Sequence, residues 1–346
     1  MNTKYHNDIE TYYDECNRDY EIVWQLKHSL ALHLGFWDKE TFTNRQALWN
    51  MNYQVALHAQ IKSSDFVLDA GCGVGGTSLF LANNIGCRVQ GISISSTQID
   101  DAIQNKKTLD TQNLTQFSRQ SYYETNFEDN TFDVVIAIES ALYSEPKDKF
   151  LKEAFRVLKP GGRIIVADWY FRPLKNESER YNVDQFAKTW AVENFIFEND
   201  YRNDLTTIGF KNILMDDVSE NVFPSVAILY RAYFPGIFIS KISNLFGRRT
   251  KAQVENSKSG KFQYLTYKQG TWRYNYLLAF KPDASETTYA NFSEYMLSKP
   301  SLKLYIDKEN FQERFPIISR KGFSTRNFFK RIMHWYLETE IKGNNC

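Results

Sequence analysis

The stretch that most constrains this chain is "DFVLDAGCGVGGTSLFLA", Asp65 to Ala82. A short apolar run with the length of a buried strand enters a turn packed with glycines, and an apolar helical pattern follows at once. A glycine turn in that place lets a ligand approach bare backbone and meet the N-terminus of the next helix. Read as Gly71, Gly73 and Gly76, it also fits the dinucleotide spacing G-x-G-x-x-G, so a nicotinamide enzyme is a rival reading. Two residues weigh against it. A dinucleotide site carries an acid at the end of the second strand, where this chain has Ser93 in "GISIS". Asp69, just before the turn, would repel a pyrophosphate and suits a ligand that presents an ammonium group.

The alternation continues from there. "CRVQGISIS", "FDVVIAIES" and "PGGRIIVADW" read as strands; "STQIDDAIQNKK", opening at Ser96 or Thr97 as N-cap, and "KDKFLKEAFRVL" read as helices. That order predicts an α/β fold with a parallel sheet and helices on both faces. Ahead of it, "YEIVWQLKHSLALHLGFW" and "NRQALWNMNYQVALHAQI" are apolar at helical spacing, with "GFWDKETFT" as the loop between them. Beyond Trp169, "DQFAKTWAVENFIFENDYRNDLTTIGF" reads as helical and "KNILMDDVS" as a strand. Phe223 to Phe246 reads as an aromatic-rich helical stretch broken at Pro235, and "GTWRYNYLLAFKP" as the last strand of the sheet. The organisation expected is a helical cap over 1–60, a core over 61–282 with insertions at about 172–200 and 217–268, and a helical extension over 283–346.

Bulk properties exclude several classes. The formal net charge is +1, which gives no reason for a nucleic-acid partner. Four cysteines, Cys16, Cys72, Cys87 and Cys346, show no metal-ligand spacing, so no metal is expected and reduced thiols in a cytoplasmic protein are. The opening "MNTKYHNDIETYYDE" lacks the basic start and apolar run of a signal peptide. No uninterrupted apolar run approaches the roughly 20 residues of a membrane-spanning helix. Aromatic residues reach 16%, enough for a dense core or an aromatic-lined cavity.

At these motifs the chain resembles class I S-adenosylmethionine-dependent methyltransferases. "VLDAGCGVGG", "VQGISISSTQI", "NFEDNTFDVVIAIES" and "EAFRVLKPGGRIIVAD" match in order, and "YYDECNRDYEIVWQLKHSLALHLGFWD" is similar to the branch with tocopherol and sterol methyltransferases and, more distantly, cyclopropane-fatty-acid synthases. The resemblance implies a Rossmann-like seven-stranded methyltransferase sheet with an N-terminal helical lid, helical insertions and a C-terminal extension, and S-adenosyl-L-methionine as cofactor. It implies that the backbone of Gly71, Cys72, Gly73 and Gly75 faces the methionyl part, with Asp69 supporting the loop or the amino group. Ser93, Ile94 and Gln98 then lie near ribose and adenine, Ser121 and Tyr122 flank the adenine ring, and Ile138 and Glu139 close the site beside the sulfonium. Many relatives carry an acid at the positions of Ser93 and Ser121; Ser93 with Gln98 resembles the cyclopropane-synthase-like members, whereas Ser121 leaves the adenine amino group without its usual carboxylate.

For the chemistry, Glu139 ends an apolar strand at the edge where such folds hold ligands, either to meet a cation or accept its proton, or to cap the following loop. Tyr143 stands where relatives often have His, and a phenol is a poor base near neutral pH. His33 in "LHLGFWD" is the remaining histidine candidate. Tyr12, Tyr13, Tyr20, Trp24 and Trp37 lie in the lid segment, with one or two expected to line the pocket. The expected acceptor is a small, largely hydrophobic natural product, such as a terpenoid, prenyl, sterol-like or polyketide skeleton, as in secondary metabolism. Carbon methylation is favoured over oxygen or nitrogen methylation of a more polar metabolite. A catalytically silent binding module is the rival from another class. "FPSVAILYRAYFPGIFISKISNLFGRRTK" is read three ways: a roof over an apolar acceptor, a peripheral membrane contact, or a packed helical insertion. "NFFKRIMHWYLETEIK" is expected to dock as a helix on this protein or on a second copy, which would make a homo-oligomer.

Overall fold

A computed structural model describes residues 3–299 apart from 24–25, 40, 111–112, 246, 248 and 285–287. The chain opens with helices α1 (Thr3–Val23), α2 (Leu26–Ser29) and α3 (Asn44–His58). The alternating part follows: β1 (Phe66–Ala70), α4 (Gly76–Ile85), β2 (Arg88–Ser93), α5 (Ser96–Leu109), β3 (Thr115–Arg119), β4 (Phe132–Ile138), α6 (Asp148–Val157) and β5 (Leu158–Phe171). Next come α7 (Glu177–Thr189), β6 (Ile196–Phe197), α8 (Glu198–Ile208), β7 (Lys211–Asp217), α9 (Ser219–Leu245), α10 (Lys251–Asn256), α11 (Ser259–Lys268), β8 (Trp272–Phe280) and α12 (Phe292–Ser298).

The sheet runs β3-β2-β1-β4-β5-β8-β7, with the two-residue β6 paired to β5 off this path. The expected seven-stranded sheet is therefore present, with β6 as a short addition. Strands β1 to β5 pair in parallel. β8, expected as the last strand, is last in sequence only: it enters antiparallel between β5 and β7. Its almost wholly buried side chains suit that interior place. The chain fills one side of β1 with β2 and β3, then crosses to β4 on the other. The carboxyl ends of β1 and β4 thus border a crevice where such sheets hold ligands.

Four expectations are corrected. The helix read through "YEIVWQLKHSLALHLGFW" ends at Ser29, and Leu30–Trp37 is an irregular strap, buried except for half-exposed Leu32. Its backbone finds partners outside any helix: Phe36 N donates to Ala47 O at 2.9 Å, Trp37 N to Asn221 O at 2.8 Å, and Gly35 N to the Ser225 hydroxyl at 3.0 Å. α9 is one continuous helix through Pro224 and Pro235. Packing outweighs the lost hydrogen bonds there, since Tyr230 stacks on Tyr264 at 4.2 Å and Phe223 on Tyr267 at 4.6 Å. The N-cap of α5 is Ser95, whose hydroxyl accepts from Gln98 N, one residue before the expected cap. The helical reading of 184–210 also divides, into the end of α7, β6 and α8.

By length and composition α9 is apolar enough to cross a membrane, although Arg231 and Lys241 interrupt its run and Val222, Val226, Ile228, Leu229 and Ala232 are buried in this fold. The extension begins with α12, which buries Phe292 against the His58 ring and Tyr295 against Phe280. The stretch "NFFKRIMHWYLETEIK" lies outside the described residues.

Candidate active site

The glycine turn grows directly out of β1. Gly71 N and Cys72 N both donate to Ile92 O at 2.9 Å, which folds the turn back against β2. Gly71 has φ +91°, and a Cβ there would collide with the Ser140 side chain. Only glycine fits. Asp69 is buried and accepts a hydrogen bond from the Ser78 hydroxyl at 2.6 Å. Burial pushes its carboxyl up to about 6.

At the end of β2, the Ser93 hydroxyl donates to Gln98 Oε1 at 2.8 Å and accepts from Ser95 N at 3.2 Å. At the end of β4, Glu139 adopts φ +50°, a left-handed conformation uncommon for a residue with a side chain and of the kind found at functional sites. Its Oε1 accepts from Leu34 N of the strap at 2.6 Å and from the Tyr274 hydroxyl of β8 at 2.9 Å. Oε2 is buried without a protein partner. Burial and, to a lesser degree, the nearby Asp168 push the Glu139 carboxyl up to about 8, while the Leu34 and Tyr274 donors pull the other way.

The strap and α1 close the site from above. His33 Nδ1 lies 2.9 Å from Leu34 O. A carbonyl only accepts, so Nδ1 carries the proton and Nε2 presents a lone pair. That Nε2 is buried with no partner at hydrogen-bond geometry. Burial lowers the imidazole to about 4 against smaller opposing pulls from the Leu34 carbonyl and the nearby Asn52 side chain, so the ring is neutral near pH 7. The Tyr143 hydroxyl donates to Trp190 O at 3.1 Å and accepts from the Tyr13 hydroxyl at 3.0 Å.

These pieces line one cavity of about 820 Å³, a figure that includes its open mouth. From the turn it is lined by Asp69, Gly71, Cys72 and Gly73; from β2 and its exit by Ser93, Ile94 and Gln98. Tyr122, Ile138, Glu139, Tyr143 and His33 complete the set read from the sequence. Two anticipated residues stand apart. Gly75 is the N-cap of α4 and packs toward the Phe117 ring, and Ser121 takes a hydrogen bond from Tyr123 N that closes a turn. Of the lid aromatics, Tyr13 lines the cavity, and Tyr12 and Tyr20 are buried and hydrogen-bonded to each other. Trp37 packs with Ala47 and Ile228, and Trp24 lies outside the described residues. Sequence reasoning missed Ile9, Leu30, Leu32, Val74, Thr77, Ser95 and Ser140. Val74 and Ser140 adjoin motif residues and were within reach; the strap leucines carried a helical pattern and gave no such signal.

A family model described as "Methyltransferase domain" matches residues 68–166. A 27-O-demethylrifamycin SV methyltransferase from Amycolatopsis mediterranei is 30% identical over 219 residues, covering 61% of this chain and 79% of that protein. The chain belongs to the class I S-adenosylmethionine-dependent methyltransferases. This methyltransferase is also 29% identical to a chloroplastic tocopherol O-methyltransferase of Arabidopsis thaliana and 27% to a sterol 24-C-methyltransferase of Saccharomyces cerevisiae, matching 62% and 63% of its own length. It spans 66% and 56% of those two relatives' lengths. In fold it is similar to the cyclopropane synthase MmaA2 of Mycobacterium tuberculosis, at 13% identity and a TM-score of 0.67 over 80% of this chain and 98% of that one. It is likewise similar to geranyl diphosphate methyltransferase, at 17% identity and a TM-score of 0.64 over 80% and 99%.

The family's cofactor is S-adenosylmethionine, and the methyltransferase cavity fits it. The turn is bare where a close ligand needs room, and a Cβ at Gly73 would meet only Leu32, at 3.8 Å. Among the described residues the lining holds two carboxylic acids, Asp69 and Glu139, and no lysine or arginine. Such walls favour an ammonium and a sulfonium and disfavour a diphosphate.

Proposed function

We propose that this chain transfers the methyl group of S-adenosylmethionine to a small, largely hydrophobic acceptor, with carbon as the favoured nucleophile. The observation that carries the reading is the pair of unpartnered polar atoms in one cavity, Glu139 Oε2 and His33 Nε2, beside a bare glycine turn. When bound, the cofactor supplies an electrophilic methyl group whose departure leaves a neutral thioether. The protein's part is to align a nucleophile with that methyl, exclude water and receive the proton the acceptor gives up. Gly71, Cys72, Gly73 and Asp69 hold the methionyl end in this reading, Ser93, Ile94 and Gln98 the nucleoside, and Tyr122 the adenine face. Gly75 and Ser121 contribute through the loops they close. Glu139 Oε2 meets the developing cation and takes its proton, with His33 Nε2 as a second acceptor at the cavity roof. Tyr143, with its proton already directed at Trp190 O, acts as wall and positioner.

Support for a hydrophobic acceptor comes from relatives whose names state tocopherol, sterol and rifamycin acceptors. Incubation with methyl-labelled cofactor and a panel of terpenoid, sterol and polyketide acceptors tests the reading, with product mass and fragmentation locating the new methyl. Label on oxygen or nitrogen throughout would replace carbon methylation by those alternatives. Failure to bind S-adenosylhomocysteine in the calorimeter at millimolar concentration would leave a silent module of the same fold.

A further inference from the structure

A second cavity lies on the far side of the tyrosines that wall the first. It measures about 800 Å³ with its opening and sits between α1, the end of α7, α9, α10 and α11. Much of its lining is apolar, including Tyr20, Leu229, Ala232, Tyr233 and Ile239. Asp19, Asn256, Ser257 and Ser259 add polar groups, and two more lining residues, Arg249 and Trp190, carry unpartnered donors. Arg249 gives Nη1 and Nη2 to Asp19 and Nη2 also to Gln253 O, yet its Nε is buried with no partner. Trp190, 5% exposed, leaves its indole Nε1 buried and equally without a partner. Both orphaned groups are N–H donors. A buried donor without an acceptor is destabilising, and a ligand oxygen that reached these donors would relieve it.

The charge state of the cavity limits what that ligand is. Asp19 already neutralises Arg249, so among the described lining residues no cation is left free to hold a carboxylate or phosphate. The wall between the cavities is thin and aromatic. Tyr20 of the second lies 6.0 Å from the ring of Tyr13, which lines the first and sits 5.8 Å from Tyr143. Trp190 of the second accepts the Tyr143 hydroxyl of the first through its carbonyl.

We propose that the second cavity seats the non-reacting part of the acceptor: an uncharged, largely apolar skeleton whose carbonyl, ether or hydroxyl oxygen takes the free N–H groups of Arg249 and Trp190. This rests on the methyl-transfer reading. The skeleton reaches the cofactor cavity past Tyr13 and Tyr143, so the two rings set how far from the anchored oxygen the methyl group arrives.

The test uses the full chain, S-adenosylhomocysteine as the probe of the first cavity, and β-ionone, an apolar ketone, as the probe of the second, with geranate as its anionic counterpart. Two variants separate the contributions. Gly236 lines the second cavity and has nothing within 4 Å of where a Cβ would stand, so Gly236→Phe plugs the space without a clash at the backbone. Arg249→Lys keeps a cation for Asp19 and removes Nε. Calorimetry should show β-ionone binding to the parent chain about tenfold or more tighter than to either variant, and tighter than geranate, while S-adenosylhomocysteine affinity is retained. β-Ionone binding that is absent, unchanged by Gly236→Phe, or weaker than that of geranate overturns the proposal; intact S-adenosylhomocysteine binding then leaves the methyl-transfer reading standing. A chain that binds β-ionone but never S-adenosylhomocysteine overturns both.

Discussion

Glu139 concentrates the chemistry of the site in one side chain. Its backbone is left-handed at the end of β4, and two donors hold Oε1 while Oε2 stays buried without a protein partner. Glu139→Gln keeps the shape and removes the proton acceptor. Turnover should fall by about 10²–10⁴-fold with S-adenosylhomocysteine affinity changed only a few-fold; undiminished turnover would remove Glu139 from the reaction. The raised pKa carries a second expectation. A sulfonium beside Glu139 favours the ionised carboxylate, so S-adenosylmethionine should expel a proton on binding between about pH 6.5 and pH 8, more than neutral S-adenosylhomocysteine does. Calorimetry in buffers of different ionisation enthalpy counts those protons, and equal counts for the two ligands would contradict it. Without ligand the sign reverses into stability. Glu139 at about 8 and Asp168 at about 7 hold protons more tightly folded than unfolded, so their contribution is complete at low pH and lost as pH rises through those values. His33, at about 4, works oppositely, but its effect fades about a unit above the ordinary 6.5 and one imidazole is outweighed by two carboxyls. The thermal midpoint should therefore decline from pH 6.5 to pH 8, and Glu139→Gln should flatten the decline.

The strap Leu30–Trp37 is the element that makes the cavity, and a single close contact locates it. A Cβ on Gly76 would collide with the Leu30 carbonyl, so the start of α4 and the strap touch backbone to backbone. Gly76→Ala should cost about 1–3 kcal/mol in thermal unfolding and weaken S-adenosylhomocysteine binding about tenfold or more, because the strap must move off the turn. A variant as stable and as tight-binding as the parent would show that the contact is dispensable. The strap also marks where the sequence stops being readable. β1, its turn and α4 are encoded by neighbours: a buried apolar run, glycines, an apolar helix. "LKHSLALHLGFW" has helical spacing too, but its N–H groups are claimed by Glu139, Ser225, Ala47 and Asn221, none of them nearby in sequence. For the same reason Pro235 reads as a helix breaker, whereas aromatic stacking from α11 carries α9 straight through. Asp69, Gly71, Ser93 and Glu139 were legible because strand ends and glycines announce them; Tyr274, which grips Glu139 from another strand, was not.

Across the whole molecule, the site is a place where distant parts of the chain are tied together. Glu139 is held from 105 residues upstream by Leu34 and from 135 residues downstream by Tyr274. The second grip exists because β8 inserts antiparallel beside β5, which sets Tyr274 opposite Trp169 and one residue from the Asp168–Asn275 pair. Ile9 and Tyr13 of α1 and Leu30, Leu32 and His33 of the strap cover a cavity whose floor belongs to β1, β2 and β4. A ligand in that cavity contacts the amino-terminal helices and the sheet together, so binding energy becomes stability of the cap as well as of the core. At a hundred times its Kd, S-adenosylhomocysteine should stabilise the native state by about 2.7 kcal/mol, a rise of a few degrees in thermal midpoint. Proteolysis should respond in the same direction, with cleavage inside the first 40 residues slowed about tenfold or more by the ligand and unaffected by NAD, whose pyrophosphate meets Asp69. A rise in midpoint without protection of those residues would mean that the ligand rests on the sheet alone and that α1 and the strap do not close over it.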